Sequence, residues 1–199
     1  MTVVQQLIDD GRLTDPGSAK GRLLAAAAQL FKHKGYERTT VRDLASEIGI
    51  QSGSLFHHYP SKEAILKAVM EETIVRNTAL MQAGLSQAES PRDKVLALIR
   101  CELQSILGET GEAMSVLVYE WRSLKPDSQQ HILALRDIYE QLWLDTLAEA
   151  RAAGMVQTDP FILRRFLTGA LSWTTNWYKA DGEISIEQLA LDALTLAVK

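Results

Sequence analysis

The chain has almost no cysteine and no long apolar run. Cys101 is the single cysteine, so no disulfide can form within the chain. It lies among Ile99, Leu103 and Ile106 in a helical pattern, which predicts a buried and unreactive thiol. No apolar stretch of about 18 residues occurs, and the first residues lack the basic start of a secretion signal. We therefore expect a cytoplasmic protein that does not enter a membrane.

The side chains that most catalytic and metal sites require are also missing. The four histidines include no pair spaced four residues apart that could bind a metal on one helix face. Cys101 has no evident partner, and no glycine-rich loop that could hold a phosphate is present. We therefore expect no enzyme, no cofactor and no metal.

Positive charge is scarce in the whole chain but not in its first third. The formal net charge is −4, yet residues 12–62 hold eight Lys and Arg against four Asp and Glu. This local excess favours salt-dependent binding to DNA. An architectural DNA protein without sequence preference would be strongly basic throughout, so it is a less favoured alternative.

The apolar spacing is helical throughout. Hydrophobic residues make up 46% of the 199 residues and the mean hydropathy is −0.07, which is enough for a substantial core. Repeats of about 3.6 residues predict an all-α fold of about nine helices without strands. The predicted helices are 18–34, 40–49, 51–58, 61–83, 90–107, 111–124, 126–154, 159–177 and 185–198.

Residues 40–50 predict a short helix that ends in a tight turn. Thr40 can cap the helix, and Asp43 suits the positive end of the helix dipole. Gly49 can adopt the left-handed conformation just past the helix end, after which Ile50 can return to the core. One face carries the apolar residues Val41, Leu44, Ala45 and Ile48.

The next short helix, at about 51–58, leaves polar groups available for contact. Its apolar members are Leu55 and Phe56. The other residues lack apolar bulk: Gln51, Ser52, Gly53, Ser54, His57 and His58. A helix fits the DNA major groove, where such groups reach base edges and Gly53 permits a close approach. Tyr59 and Lys62 are placed to contact phosphates beside the groove.

The run TTVRDLASEIGIQSGSLFHHYPSKEAIL resembles the DNA-binding signature of TetR-type bacterial transcriptional repressors. The specific match covers about residues 18–70. The resemblance implies a two-fold dimer with a three-helix helix-turn-helix domain at the N-terminus and a helical ligand-binding domain at the C-terminus. It implies phosphate contacts from Thr40 and Tyr59, a phosphate or base contact from Arg42, a backbone anchor at Lys62, and groove positions for Ser52, Gly53, His57 and His58.

The predicted domain order follows from these patterns. Residues 1–17, which end in Asp15, Pro16 and Gly17, are expected to form a flexible arm. Residues 18–62 are expected to bind DNA, and residues 63–199 are expected to bind a ligand and a second subunit. The helix at 61–83 leaves the DNA-binding part, so it can act as a lever between the two sites.

The last two predicted helices carry more apolar surface than one neighbour can cover. Gly169 and Ala170 allow helix backbones to approach closely, which favours a four-helix interface between two copies. The residues expected there are Phe166, Gly169, Ala170, Leu189, Ala193 and Leu194. A dimer would present two reading helices about 34 Å apart to a palindromic operator in double-stranded DNA. Alternatively, these faces complete the core of a monomer.

The C-terminal part also holds every tryptophan, which suits an apolar ligand pocket with a few polar groups. The residues predicted to line it are Tyr119, Trp121, Arg122, Trp143, Arg164, Arg165, Trp173, Asn176 and Trp177. The alternative is that these aromatic residues simply fill the core.

The stretch GALSWTTNWYKADGEISIEQLA resembles TetR-type regulators that respond to acyl-CoA thioesters. This resemblance implies an apolar tunnel for the acyl chain, with Arg164 or Arg165 near the CoA phosphates. Free fatty acids and hydrophobic drugs are the alternative ligands.

Overall fold

The computed structural model describes residues 1–199 and is entirely helical, as the apolar spacing predicts. Its ten α-helices are α1 Val3–Asp9, α2 Ala19–Lys34, α3 Val41–Glu47, α4 Ser52–Leu55, α5 Lys62–Gln87, α6 Pro91–Leu107, α7 Gly111–Tyr119, α8 Pro126–Ala152, α9 Pro160–Trp173 and α10 Ile186–Ala197. Short 3₁₀ turns follow α7 and α9, at Trp121–Ser123 and Thr174–Asn176, so both helices end earlier than predicted. None of the ten helices has the length and hydropathy that a bilayer span requires.

The first helix lies in the segment that we expected to be a flexible arm. Thr2 caps α1 by accepting a hydrogen bond from the backbone N–H of Gln5. Leu7 and Leu13 are buried, so this short segment contributes apolar side chains to the core. The sequence pattern missed this helix because α1 has only 7 residues and depends on packing for its stability.

The chain divides into two compact units. The first unit consists of Met1–Arg76 and Glu112–Arg136. In it, Ser18 caps α2, and Gly35 ends that helix with a φ of 84°. The buried core of the unit includes Leu23, Phe31, Leu44, Leu55, Ile65 and Leu66.

The second unit consists of Asn77–Gly111 and Asp137–Lys199. Within it, α6 packs against α10 and α9. Ser90 caps α6, whose first residue is Pro91, and Ser185 caps α10. The buried core of this unit includes Val95, Leu98, Ile99, Leu103, Trp143 and Leu147. Helices α5 and α8 each contribute residues to both units.

Candidate functional site

The entry into α3 is fixed by a capping box. The Thr40 hydroxyl oxygen accepts from the Asp43 N–H at 3.1 Å, and Asp43 Oδ2 accepts from the Thr40 N–H at 2.7 Å. Lys34 Nζ donates to the same carboxylate at 2.5 Å. The bond from Lys34 and those from Thr40 lower the pKa of Asp43 to about 2. The start of α3 is therefore fixed by local bonds before any DNA is present.

The turn after α3 has the conformation that the glycine predicts. Gly49 has a φ of 71°, and the Ile50 N–H donates to the Ala45 carbonyl at 2.9 Å. Leu44 and Ala45 are fully buried, which confirms the predicted inner face of α3. This packing leaves Arg42 on the outer side.

Helix α4 is shorter than the predicted 51–58. It covers Ser52–Leu55, and Gln51 provides no side-chain cap. The chain then tightens, since the N–H groups of His57 and His58 donate to carbonyls three residues back. Phe56, the other apolar member of this predicted helix, does not join Leu55 in the core, because the residue is 51% exposed. Leu55 alone anchors α4 in the core.

The outer surface of α3 and α4 is open and polar. Arg42, Gln51, Gly53, His57 and His58 are exposed, while Ser52 and Ser54 are partly exposed. A Cβ atom added at Gly53 would meet no atom within 4 Å, so packing does not require glycine there. We call this set of residues the reading surface.

Tyr59 is not on the reading surface. This residue is only 8% exposed, and its buried hydroxyl lies beside the side chain of Thr14. The ring lies 5.1 Å from Lys20 Nζ. The hydroxyl is therefore enclosed within the first unit. It is not exposed on the reading surface, where the sequence predicted a phosphate contact.

Lys62 is likewise engaged within the fold. Its Nζ donates to the carbonyls of Tyr36 at 2.8 Å and Thr39 at 2.9 Å. The same ammonium lies 4.0 Å from the centre of the Tyr36 ring. Lys62 thus ties the start of α5 to the turn between α2 and α3, whereas the sequence suggested a backbone anchor on DNA.

The second unit contains a buried charged cluster. Glu102 and Arg164 are both 3% exposed in their side chains, with Arg164 Nη2 3.6 Å from Glu102 Oε1. Glu102 also accepts from Tyr139 Oη and from Trp143 Nε1, the latter at 3.1 Å. Arg164 Nε donates to Glu140 at 3.1 Å and leaves its Nη1 unpaired. Burial opposes the charge on Arg164, but Glu102 and its neighbours raise the pKa of the guanidinium.

Sequence reasoning missed Glu102, although a signal was present. A carboxylate at the register of Leu98 and Ile106 on the inner face of α6 has to find buried partners. Its hydrogen-bond donors are Tyr139 and Trp143. Its ionic partner is Arg164, which also donates to Glu140. Trp143 and Arg164 are two of the residues that the sequence predicted to bind a ligand.

The other residues predicted to bind a ligand are distributed between the two units. Tyr119, Trp121 and Arg122 belong to the first unit, and the rest belong to the second. Tyr119 is 75% exposed, and Arg122, Trp173, Asn176 and Trp177 are also exposed. Arg165 is 55% exposed and lies 3.2 Å from Glu140. Within the second unit, only Trp143 and Arg164 come together in a buried site, at 4.4 Å.

The residues predicted at a dimer interface have mixed exposure. Phe166 is 73% exposed, and Gly169 and Ala170 are exposed beside it on α9. Leu189 and Ala193 are half-buried on α10, whereas Leu194 is buried in the core of its own unit and is not available to a partner. Of the predicted interface residues, those on α9 are therefore the most exposed.

Comparison with known families gives two matches. Residues 23–69 match the family model described as bacterial regulatory proteins, tetR family. Residues 88–199 match the model described as tetracyclin repressor-like, C-terminal domain. Together the two models include α3, α4 and the charged cluster.

Individual relatives extend over nearly the whole chain. The HTH-type transcriptional repressor KstR2 of Mycolicibacterium smegmatis is 31% identical over 93% of this chain and 91% of its own length. A crystal structure described as superantigen pfit is 60% identical, covers 99% of this chain and 98% of its own, and has a TM-score of 0.87. The structure of AibR in complex with isovaleryl coenzyme A and operator DNA covers 90% of this chain and 98% of its own at 21% identity, with a TM-score of 0.81, which shows the shared fold.

Proposed function

This chain belongs to the TetR family of bacterial regulatory proteins, and we propose that it is a transcriptional repressor that binds DNA and responds to a small ligand. The observation that carries the proposal is the reading surface. A rigid capped helix and a glycine turn present Arg42, Gln51, Gly53 and two histidines to solvent without internal partners. These are groups that can reach base edges in a major groove.

The DNA partner is a palindromic operator, and the protein binds it as a dimer. The support is the exposed apolar face of α9 around Phe166, which a second copy can cover. A single four-residue reading helix offers few base contacts, whereas two related by a two-fold axis read two half-sites. Because its target is chromosomal DNA, the site of action is the bacterial cytoplasm.

The link between ligand and DNA is helix α5. It is one unbroken helix of 26 residues whose first part belongs to the first unit and whose last part belongs to the second. A ligand that favours one position of α5 over another would move the turn before α3, because Lys62 ties the two together. The spacing of the two reading helices would then no longer match the operator.

The effector class is a small hydrophobic molecule, with acyl-CoA as the first candidate. The support is the fold shared with AibR, whose structure is described in complex with isovaleryl coenzyme A. We assign the contact with CoA phosphates to Arg165 rather than Arg164, since Arg165 is 55% exposed and Arg164 is enclosed by two carboxylates. Free fatty acids and hydrophobic drugs remain the alternatives.

Operator binding tests the main proposal. A palindrome obtained by selection from randomised oligonucleotides should bind the wild type, and Arg42→Ala or His57→Ala should weaken this binding by ~1–3 kcal/mol. Lys32→Ala, which removes an exposed cation from α2, serves as the matched control and should leave sequence preference unchanged. Absence of any preferred sequence would refute the proposal.

The effector is tested by thermal unfolding. An acyl-CoA that binds the folded state should raise the melting temperature, by an amount that grows with the logarithm of its concentration divided by its Kd, and should release the operator. Arg165→Gln should reduce the effect of acyl-CoA but not that of the matching free fatty acid. A response to fatty acids or drugs alone would select one of the alternatives.

The description superantigen applies to that relative alone. For this chain, the reading surface favours a DNA partner, and operator selection distinguishes a regulator from a protein whose function does not involve DNA.

A further inference from the structure

Residues 1–17, which form α1 and the turn after it, fold back onto the first unit. The turn closes when the N–H groups of Arg12 and Leu13 both donate to the Leu7 carbonyl, at 2.8 and 3.1 Å. Gly11 permits this reversal, since its φ is 70°. Leu7 and Leu13 are thereby buried. We refer to residues 1–17 as the N-terminal segment.

The N-terminal segment passes very close to the first turn of α2. A Cβ atom added at Gly21 would lie 2.1 Å from the Asp15 carbonyl oxygen and 2.7 Å from Pro16 Cα, so a larger residue would displace the segment. Gly21 has no positive φ, and glycine is a poorer helix former than alanine. The glycine at this position is therefore explained by the close approach of the segment.

Thr14 connects the N-terminal segment to α5. Its N–H donates to one oxygen of the Glu72 carboxylate at 3.1 Å, and its hydroxyl donates to the other oxygen at 2.6 Å. Hydrogen bonds to an ionised carboxylate are stronger than those between neutral groups, and a pair of them fixes orientation as well as distance. Both residues are partly buried, so water competes less for these bonds.

Glu72 gives α5 a second hydrogen-bonded tie to residues that precede it in the chain. The first tie is Lys62, whose ammonium bonds the turn before α3. The two residues are about 15 Å apart along the helix axis, at ~1.5 Å of rise per residue. Glu72 also lies close to Arg76, the last residue of α5 in the first unit. A helix tied at one point can pivot about it, whereas two ties at this separation also fix its direction.

We infer that the N-terminal segment sets the direction of α5, and that Thr14 is a positioning residue for the reading surface. Without the bonds between Thr14 and Glu72, α5 can pivot about Lys62, and its direction relative to α3 and α4 is less fixed. The arrangement that binds DNA then becomes a smaller fraction of the molecules. The inference rests on the proposed function, because it concerns the position of a surface that binds an operator.

Hydrogen exchange of the full chain tests the tie without DNA. Thr14→Val removes the hydroxyl and keeps a similar shape, whereas Thr14→Ser keeps the hydroxyl. Peptides from α1 and from residues 62–76 should exchange at least about threefold faster in Thr14→Val and at the wild-type rate in Thr14→Ser. Thr158→Val makes the same chemical change at an exposed residue of the second unit, and it should exchange as the wild type does.

Operator binding tests the positioning role. Thr14→Val should bind the selected operator about three- to tenfold more weakly, because fewer molecules hold α5 in the required direction. Thr14→Ser and Thr158→Val should bind as the wild type does. The salt dependence should be the same in all four proteins, since no phosphate contact is removed. Binding is measured well below the melting temperature of every variant, so that loss of folded protein does not contribute.

Gly21→Ala displaces the same segment by a different route. Alanine favours a helix, so this substitution should raise the melting temperature if the segment were not packed against α2. Displacement of Asp15 and Pro16 should instead lower the melting temperature and weaken operator binding, as Thr14→Val does. A more stable Gly21→Ala protein with wild-type operator binding would contradict the inference.

The measurements together decide the inference. Faster exchange and weaker operator binding in Thr14→Val, both restored in Thr14→Ser, support it. Faster exchange with wild-type operator binding would overturn it, because the segment would then stabilise the first unit without positioning the reading surface. Unchanged exchange, or no recovery in Thr14→Ser, would also overturn it. If the wild type selects no operator, the proposed function fails, and the exchange rates still show whether the segment holds α5.

Discussion

Lys62 acts as a tie between α5 and the turn before α3. Its ammonium donates two hydrogen bonds to backbone carbonyls at 2.8 and 2.9 Å and lies on the face of Tyr36. Bonds from a charged donor are worth ~1.5–3 kcal/mol, more than those between neutral groups. These contacts fix the start of α5 relative to the turn before α3.

Lys62→Ala should therefore lower the free energy of unfolding by about 1–3 kcal/mol. Operator affinity should fall because α3 and α4 lose their fixed position, while the salt slope stays that of the wild type. Urea unfolding and binding titrations at several salt concentrations measure the two effects. The opposite pattern, an unchanged stability with a slope reduced by about 0.9, would assign Lys62 to a phosphate.

Substitution of Gly53 can change DNA binding without disturbing the fold. An added Cβ would meet open space, and the residue lies within α4 without a positive φ. Gly53→Ala should keep or raise stability, by up to about 1 kcal/mol, since alanine favours a helix more than glycine does. A methyl group at the groove should nevertheless reduce operator affinity at least about tenfold, or 1.4 kcal/mol. Gln82→Ala on α5 is the control, and equal operator binding by both variants would exclude Gly53 from the interface.

At the scale of the element, the capping box makes α3 sensitive to acid. The pKa of Asp43 falls from its ordinary 3.8 to about 2, because Lys34 and Thr40 bond the charged form. A carboxyl whose pKa is lower in the folded state stabilises the fold above its unfolded pKa, and that contribution is lost as the pH falls through the folded value.

Asp43→Asn should therefore destabilise the protein at neutral pH and weaken the dependence of stability on pH between about 4 and 2. Chemical unfolding across this pH range, monitored by circular dichroism, measures it. Asp137→Asn, an exposed carboxyl without an ion pair, should retain the wild-type dependence. Parallel curves for the wild type and Asp43→Asn would show that the capping box does not carry the acid response.

The cluster that joins α6, α8 and α9 illustrates why a helix pattern does not reveal a side chain's partners. The periodicity placed Arg164 on α9 but could not show that Glu102 and Glu140 surround it. A buried ion pair is costly to break because it leaves an uncompensated charge. The cluster therefore fixes how these three helices pack.

At the scale of the whole molecule, the exposed apolar face of α9 is the surface that we expect a second copy to bury. Phe166 is 73% exposed, and Gly169 and Ala170 beside it are small enough for another helix to approach. We expect two copies to cover this face and so to present two reading surfaces to DNA.

Phe166→Asp should convert the dimer to a monomer and abolish operator binding at concentrations where the wild type is dimeric. A charge placed in an apolar interface has no partner there, so it opposes association. Sedimentation equilibrium measures the mass. Val118→Asp, which alters a 51% exposed residue of α7, is the control and should leave the dimer intact. A dimeric Phe166→Asp protein would locate the interface elsewhere.

Local chemistry let the sequence predict the helix-turn-helix. The Thr40 cap, the inner face with Leu44 and Ala45, and the left-handed Gly49 all depend on residues at most a few positions apart. Such interactions are specified by spacing, so they can be inferred from the chain alone. The same reasoning placed most helices, with errors at their ends, where capping and packing compete.

By itself, then, the sequence determined the helical class, the reading surface and the family. Only the tertiary structure decided that residues 1–17 pack through α1, that Lys62 bonds backbone carbonyls and that Arg164 is enclosed by carboxylates. The Thr14–Glu72 bond joins residues 58 apart, the Lys62–Tyr36 bond joins residues 26 apart, and the Arg164–Glu140 bond joins residues 24 apart. Contacts over such separations depend on how helices meet in space, which periodicity within one helix does not encode.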